Sequence, residues 1–559
     1  MYDEGQCKAP VGKMKYLVVT GGVLSGLGKG ISASSIGRLL SCRGYRVVPI
    51  KIDPYLNCDA GTMSPYQHGE VFVLDDGTES DLDLGNYERF LDVSLRGENN
   101  ITTGKVFREV ITKERRGDYL GKTVQIIPHV TQEIRRRIDA VGMEARADIL
   151  LIEVGGTVGD IESMWFLEAI RQLRQEKGTQ DVMVCHTTLV PVLNVVGEQK
   201  TKPTQHSVKE LRAIGITPDV IIGRCEVPLT EDTRQKIAAF TDVPARGVIS
   251  AHDAPTIYHV PRIFEEQGLT DYILQRLSLP SRENTLPQWT KFVDRLSNVE
   301  GEVEVAIVGK YTELRDSYLS HIEAIHHCEA ATGRHVKIRW VESEQVEQGV
   351  VKDPFAGVDG IVIPGGFGWR GIEGKIQAAR FARENKVPFL GICLGFQVST
   401  IEFARNVLGL AGANSTEFEP KSAHPVIDLL PEQHGVGEMG ATMRLGSHRV
   451  LVEPGSGAAR MYGATEIHER HRHRYEVNPK YIPKFEEAGW HFTGKSEDGR
   501  RMEIYELKGH PYMVGCQFHP ELKSRPTHPS PIYLGLVRAA IERRFPAVQI
   551  GEGAKAIAR

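Results

Sequence analysis

The sequence predicts an α/β protein of two successive α/β units, the first a mostly parallel sheet covered by helices on both faces. Three observations predict it. Apolar, β-branched runs of strand length recur with helix-like stretches between them, the pattern of βαβ units. Two such alternations occur, one over 14–273 and one from Val303 onward, and Leu277–Gly301, with Pro280, Pro287 and mixed charge, breaks them apart. The chain has 559 residues, too many for one ordinary domain, with 41% hydrophobic and 25% charged residues, a globular balance.

The same numbers exclude some classes. A net charge of -4 gives no global basic field for nucleic acid. The eight cysteines are scattered without a Cys-x-x-Cys pair, which argues against a disulfide framework and a structural zinc site. No apolar run reaches membrane-spanning length. Residues 1–13 lack the apolar core of a signal peptide and read as a flexible extension. A reducing, cytoplasmic setting is the expectation.

The first alternation opens with Leu17-Val18-Val19, a buried strand, followed by Gly21-Gly22, a loop ending Gly28-Lys29-Gly30, and the helix-like Ile31–Leu40. Strand, glycine loop and helix in that order cradle phosphate: backbone N–H groups and the helix N-terminus converge on an anion, and Lys29 neutralises its oxygens. Gly30 stands where a P-loop normally carries the Ser or Thr that holds magnesium, so carboxylates from elsewhere are required. Arg46–Ile52 is the next strand, and Lys51 sits at its carboxyl end, where open α/β sheets place ligands. In Thr78–Tyr87, Asp81 and Asp83 alternate with leucines on an extended segment. Glu114–Lys122 reads as a surface loop. Glu153 ends the apolar strand in 148–156, where a carboxylate is costly unless paired or metal-bound, so Asp83 and Glu153 are the candidate metal ligands. Gly155-Gly156 turns the chain toward Asp160-Ile161-Glu162. After the strand Val182–Thr187, the polar loop Gly197–Ser207 gathers Lys200, Thr201, Lys202, Thr204 and Gln205 around Pro203, donors suited to a triphosphate. Val220–Cys225 and Val248–His252 are further strands, with Lys236 opening a helix between them and Asp253 following the second.

In the second alternation Val303–Val308 is a strand, and Val358–Pro364 leads into Gly365-Gly366-Phe367-Gly368. Pro388–Gln397 places Cys393 between Gly391 and Gly395, between a strand and a helix, the cysteine counterpart of a nucleophile elbow whose helix N-terminus favours thiolate. The strand Met513–Phe518 leads into His519-Pro520-Glu521. Cys393, His519 and Glu521 supply nucleophile, base and orienting acid, and Gly365-Gly366 offers oxyanion donors. Glu469–Glu476, ERHRHRYE, is the most basic short stretch and reads as a nucleic-acid patch, a metal site or a substrate-carboxylate clamp, or as plain solvated surface.

On these residues the chain resembles the CTP synthase family. The likeness runs from Met14 to about Phe545 and rests on long motifs, among them GGVLSGLGKG, KIDPYLNCDAGTMSPYQHGEVFVLDDG, DLDLGNYERF, EVGGTVGDIES, GEQKTKPTQHSVKELR, PGGFG, GICLGFQ, RHRHRYEVN and QFHPE. The resemblance implies a P-loop-like synthetase domain at 14–276, a linker at 277–301, a class I glutamine amidotransferase domain at 302–546 and a loose tail at 547–559. It implies ATP on Ser25, Gly26, Leu27, Gly28, Lys29 and Gly30, with Lys51 near the transferring phosphoryl group and His252, Asp253 and Ala254 at the adenine. Magnesium would bind Asp83 and Glu153. UTP would contact Ser25, Lys200, Thr201, Lys202, Pro203, Thr204, Gln205 and Lys236, some of them from a neighbouring subunit, and inhibitory CTP would contact Asp160, Ile161 and Glu162. Glutamine would contact Gly366, Leu394, Gly395, Phe396, Gln397, Glu417 and Arg474, which assigns the basic stretch to a substrate pocket.

The activity so implied is ATP-dependent amination of UTP to CTP, the last step of de novo CTP synthesis. It proceeds through 4-phosphorylated UTP and uses ammonia released from glutamine at Cys393 and passed through the protein. The family is tetrameric, is stimulated by GTP, and in some members stacks into filaments. The resemblance adds neither nucleic acid nor membrane as a partner. Two alternatives predict otherwise. An ATP-dependent carboxylase or cobyrinate-type amidase needs no second polyphosphate cluster, and a non-catalytic filament-forming relative would carry damaged catalytic residues.

Overall fold

The computed structural model describes residues 12–64, 69–193, 197–310, 312–429 and 443–546. Residues 1–11, most of the expected extension, the 547–559 tail and the PYQH stretch of a quoted motif lie outside them. The chain forms two compact units, Met1–Ala60 with Asp83–Val293, and Gly61–Leu82 with Asp294–Arg559.

The first unit is built on a seven-stranded sheet. Its strands are β1 (Lys15–Gly21), β2 (Val47–Asp53), β3 (Asn100–Thr102), β4 (Ile149–Val154), β5 (Val182–Leu189), β6 (Val220–Cys225) and β7 (Val248–His252). They lie in the order β7-β6-β5-β1-β4-β2-β3, and every pairing is parallel. β2 and β4 are buried throughout, which is why they read as continuous apolar runs rather than alternating ones. Helix α1 (Lys29–Cys42) follows β1.

Four readings of local structure change. Thr78–Tyr87 is not extended: Glu79–Ser80 pairs with Phe72–Val73, and α2 (Leu82–Leu91) begins beside Asp83. Glu114–Arg116 closes the helix Thr103–Arg116, so the surface loop starts only at Gly117. The polar loop 197–207 becomes α3 (Lys202–Ala213) from Lys202 on, with Pro203 in the first turn, where its missing N–H costs nothing. Lys236 lies in the middle of α4 (Glu231–Thr241) rather than at its start.

Within the expected linker, α5 (Leu286–Ser297) is an amphipathic helix that buries Trp289. The indole packs against Phe90, Tyr258 and Phe292 with ring centroids 5.3–5.8 Å apart, and its N–H donates to the Tyr258 carbonyl at 2.9 Å.

The second unit carries a nine-stranded sheet. Its strands are β8 (Glu302–Gly309), β9 (His335–Glu342), β10 (Gly360–Ile363), β11 (Phe389–Ile392), β12 (Arg444–Val452), β13 (Glu466–His473), β14 (Trp490–Ser496), β15 (Met502–Leu507) and β16 (Met513–Cys516). The order is β9-β8-β10-β11-β16-β15-β14-β12-β13, parallel from β9 to β16 and antiparallel beyond. Helices α6 (Leu319–Thr332), α7 (Ile372–Glu384) and α8 (Leu394–Asn406) belong to this unit. The short ribbon of Phe72–Val73 with Glu79–Ser80 belongs here too, although it lies between β2 and β3 in the chain.

Replacing Trp289 by alanine removes the centre of the aromatic cluster, a loss of about 3–5 kcal/mol for a buried aromatic. Calorimetry of the full chain is expected to show the first unit's transition lowered by about 6–20 °C. An unmoved transition would mean that α5 does not contribute to that core.

Candidate active sites

In the first unit, Gly21 ends β1 and the loop climbs to Lys29, the first residue of α1. Gly28, with φ 81°, precedes the helix in the left-handed region where a side chain is strained. Ser25 and Gly26 are exposed and Leu27 is buried. Lys29 folds back along the loop: a β-carbon on Gly21 would lie 2.5 Å from its Cδ, and Nζ donates to the Gly156 carbonyl at 2.9 Å. Burial lowers its pKa, and Glu153 works against that.

Lys51 is the centre of this site. Its buried Nζ contacts Asp83 closely, lies 2.9 Å from Glu153 Oε1, and is 3.9 Å from Asp53 Oδ1. Burial alone would favour the neutral amine, but Asp83, Glu153 and Asp53 together hold the ammonium well above its ordinary range. The Tyr87 hydroxyl donates to the other Glu153 oxygen. Asp83 also explains Gly30. An added β-carbon there would lie 2.1 Å from Asp83 Oδ1, so the carboxylate takes the space that a Ser or Thr side chain would need.

Asp83 and Glu153 are hard oxygen donors meeting on a cation, a donor set that fits magnesium. Among the described residues no three or more His, Cys, Asp or Glu side chains could hold an ion alone. An ion here would complete its shell with water and phosphate oxygens, as magnesium commonly does.

The second basic cluster is tied to the phosphate loop. His186 on β5 bonds Thr20 at 2.9 Å through Nδ1 and Ser207 of α3 at 2.6 Å through Nε2, and burial keeps the ring neutral with a pKa lowered to about 3. A β-carbon on Gly22 would fall 1.6 Å from Ser207 Oγ, so loop and helix meet closely. Lys200 pairs with Glu198 at 2.6 Å, and Lys236 adds to the positive field on that carboxylate. Lys202 is exposed at the helix start, Gln205 donates to Thr201 at 3.0 Å, and Thr204 turns inward to the Leu189 carbonyl at 3.1 Å. Asp160, Ile161 and Glu162 are exposed, and Asp160 contributes to the field at Lys29. His252 ends β7 against Ser250 at 3.2 Å, beside Asp253, which pairs with Arg224 at 2.5 Å, and Ala254.

In the second unit, Cys393 sits between β11 and α8 with φ 52° and ψ −98°, a strained conformation for a residue with a side chain. Its flanking glycines are required by space. A β-carbon on Gly391 would lie 2.7 Å from the Gly395 backbone, and one on Gly395 would lie 2.0 Å from the Ile363 carbonyl oxygen. His519 Nδ1 bonds Glu521 Oε1 at 2.7 Å, and His321 Nε2 lies 3.7 Å from that same oxygen. Burial opposes charge on His519, but Glu521 and Cys393 push its pKa up to about 10, so the ring is an imidazolium at neutral pH. Gln517 Nε2 donates to Cys393 Sγ at 3.6 Å.

Cys393, His519 and Glu521 share a cavity of about 270 Å³ with Gly365 and Gly366. A β-carbon on Gly365 would lie 2.6 Å from His519 Cε1. The turn is pinned from both sides: Lys310 Nζ donates to the Phe367 and Gly368 carbonyls at 3.0 Å each, and the Gly368 N–H donates to Glu417 Oε1 at 2.8 Å. Burial raises the pKa of Glu417. Leu394, Gly395 and Phe396 open α8 and are buried, and Gln397 points to the Tyr475 carbonyl at 2.9 Å.

The basic stretch is not a surface patch. Its alternation is that of β13: Arg470 and Arg472 face the ribbon, and His471 and His473 are buried on the other face. Arg470 pairs with Asp75 at 2.6 Å and Arg472 with Glu79 at 2.7 Å. The arginine lining the cavity is Arg472, over the Phe367 ring at 5.0 Å, and Arg474 lies in the bend after β13. Sequence reasoning missed Arg472, Lys310, Lys375 and His321. Lys310 follows the carboxyl end of β8 as Lys51 occupies that of β2, so the rule that singled out Lys51 reaches it too.

A phosphate loop with a buried lysine–carboxylate cluster in one α/β unit and a Cys-His-Glu triad in the other define a two-site amide-nitrogen-transferring enzyme. Family models agree: "CTP synthase N-terminus" matches residues 15–279 and "Glutamine amidotransferase class-I" matches 313–539. The chain is 58% identical to the CTP synthase of Thermococcus gammatolerans over 532 residues, 95% of this chain and 99% of that protein. It is 58% identical to the CTP synthase of Archaeoglobus fulgidus over 531 residues, again 95% and 99%. Among solved structures, the Trypanosoma brucei CTPS glutaminase domain with bound acivicin is 36% identical, covering 45% of this chain and 98% of that one, with a TM-score of 0.40. The chain belongs to the CTP synthase family.

Gly395→Ala is expected to break the elbow, because the new methyl would meet the Ile363 carbonyl. Alkylation of Cys393 by iodoacetamide should slow by about tenfold or more, the scale on which small misplacements of reacting groups act. Unchanged alkylation would show that the elbow tolerates the added carbon.

Proposed function

We propose that the first unit phosphorylates the 4-oxygen of UTP with ATP, and that the second hydrolyses glutamine to supply the ammonia that displaces the phosphate. The protein is a glutamine-hydrolysing ligase of the CTP synthase family. The observation that carries the two-nucleotide reading is the Ser207–His186–Thr20 chain, which ties the helix bearing Lys202–Gln205 to the end of β1, from which the glycine loop bearing Lys29 leaves. Two polyphosphate-binding clusters held together suit two triphosphates. We assign the synthetase chemistry to 14–276 and the glutaminase chemistry to 302–546, with Gly61–Leu82 going with the latter.

In this reading Lys29 and the α1 N-terminus hold ATP phosphates, and Lys51 neutralises charge on the phosphoryl group in transit. Asp83 and Glu153 would hold magnesium, which supplies further charge neutralisation on the phosphates. Ser25, Lys200–Gln205 and Lys236 hold UTP, His252–Ala254 the adenine, and Asp160–Glu162 inhibitory CTP. At the other site Cys393 attacks the glutamine side-chain amide. The imidazolium of His519 gives its proton to the departing ammonia, and the neutral ring then activates water to clear the thioester. Gly365 and Gly366 stabilise the oxyanion, and Glu417 and Arg474 hold the amino-acid end. GTP stimulation, tetramers and filaments are properties that we extend to this chain from the resemblance. Among the described residues no helix is long and apolar enough to cross a membrane.

Cys393→Ala is expected to abolish CTP formation from glutamine and to leave formation from ammonium salts intact, measured with UTP, ATP and magnesium. No CTP from either nitrogen source in the unaltered protein would end the synthase reading. Gly30→Ser, which forces Asp83 aside, should lower CTP formation from either nitrogen source about tenfold or more, because it misplaces a charged group at the phosphoryl site. Glutamate release should persist in that variant; normal synthesis by it would remove Asp83 from the assignment.

A further inference from the structure

Lys375 sits on the buried face of α7, flanked at helical spacing by Ile372, Ile376 and Ala379, and is 1% exposed. It lines the cavity that holds Cys393 and His519. A β-carbon on Gly366 would lie 3.8 Å from its Nζ, which places the amine beside the Gly365–Gly366 turn. Among the described residues Nζ has no hydrogen-bond acceptor or ion-pair partner. A buried amine without a partner destabilises a fold, and groups retained at such a cost concentrate at functional sites.

The charged groups that face it come from every neighbouring element. Lys310 follows β8, Glu342 ends β9, His321 stands on α6, and Cys393 is in the elbow. Lys310 is held by the Phe367 and Gly368 carbonyls, and Glu342 Oε2 accepts from the Thr312 hydroxyl at 2.9 Å. Glu344, two residues beyond β9, is engaged by Arg370 at 2.5 Å. Glu70, Arg472, His519 and Glu521 line the same cavity. Burial first, then Lys310, push the amine down to about 7, against Glu342 and Cys393. The group therefore exchanges its proton in the physiological range.

We propose that Lys375 is a positioning residue for glutamine hydrolysis, whose ammonium form supports the negative charge on Cys393 Sγ and on the oxygen received by the Gly365–Gly366 turn. It rests on the glutaminase reading of this pocket and adds to it a control of the pH range. The sign is set by the amine. Below about pH 7 it is charged and helps the thiolate; above that it is neutral and contributes nothing.

The test is glutamate release from glutamine by the full chain between pH 6 and 9, for the unaltered protein, Lys375→Met and Lys375→Arg. Lys375→Met is expected to lower kcat/KM about three- to tenfold at pH 6, the scale of a nearby charge screened by a partly polar interior. It should converge on the unaltered protein by pH 8.5, with Cys393 alkylation following the same trend. Lys375→Arg, permanently charged, should keep the acid-side rate. Lys375→Met should also melt no lower than the unaltered protein, whereas a structural lysine would leave a less stable variant. A Lys375→Met profile parallel to the unaltered one, or a melting temperature lowered along with a uniform loss of rate, overturns the proposal and leaves the glutaminase reading standing. Absence of glutamate release from the unaltered protein overturns both.

Discussion

An ammonium closed off from water must be neutralised where it sits, and the first site is arranged about that need at Lys51. Asp83 and Glu153 meet on its Nζ, and Tyr87 holds the far oxygen of Glu153. Removing one member of such a buried set leaves an uncompensated charge, which costs about 3–5 kcal/mol. The position of Asp83 then excludes a side chain at residue 30, and α2 must begin where it can deliver that carboxylate. The second unit solves the same problem with neutral oxygens: Lys310 is satisfied by two backbone carbonyls, and in being satisfied it holds the turn that faces Cys393.

The elbow is a different kind of constraint. Cys393 occupies a backbone region that costs on the order of 1–3 kcal/mol, and it stays there because its surroundings leave no alternative. Its N–H donates to the Cys516 carbonyl at 2.8 Å, and the helix that begins at Leu394 presses against Ile363 at a distance only glycine permits. The strain aims Sγ at the cavity where His519 waits as an imidazolium.

Much of this was legible in the sequence for a simple reason: parallel strands buried on both faces are continuous apolar runs. Val220–Cys225 and Val248–His252 fall on the expected residues. Glycine loops and a cysteine between glycines report backbone geometry, so the phosphate loop and the elbow were legible too. What was not legible depended on partners distant in the chain. Pro287 disguised α5 as a linker, although a proline in a first turn interrupts nothing. The arginines of ERHRHRYE looked solvated because nothing nearby in sequence announces Asp75 and Glu79 as their partners. Lys375 was overlooked because a lysine in a helix reads as exposed, yet its spacing from Ile372, Ile376 and Ala379 places it on the buried stripe.

The ribbon around Phe72–Val73 bears on synthesis of the chain. Asp75 and Arg470 are 395 residues apart, and Glu79 and Arg472 are 393 apart. A ribosome adding about 5–20 residues per second makes the acidic partners about 20–80 s before the basic ones. Through that interval the ribbon has left the tunnel without the strand it will pair its charges with. Arg470, wholly buried in the finished protein, is born into a nascent chain that must reach back for its counterion. Vectorial folding, one unit after the other, therefore cannot complete the first stretch of chain on its own; the earliest segment of the glutaminase half has to wait for a strand made late in the chain.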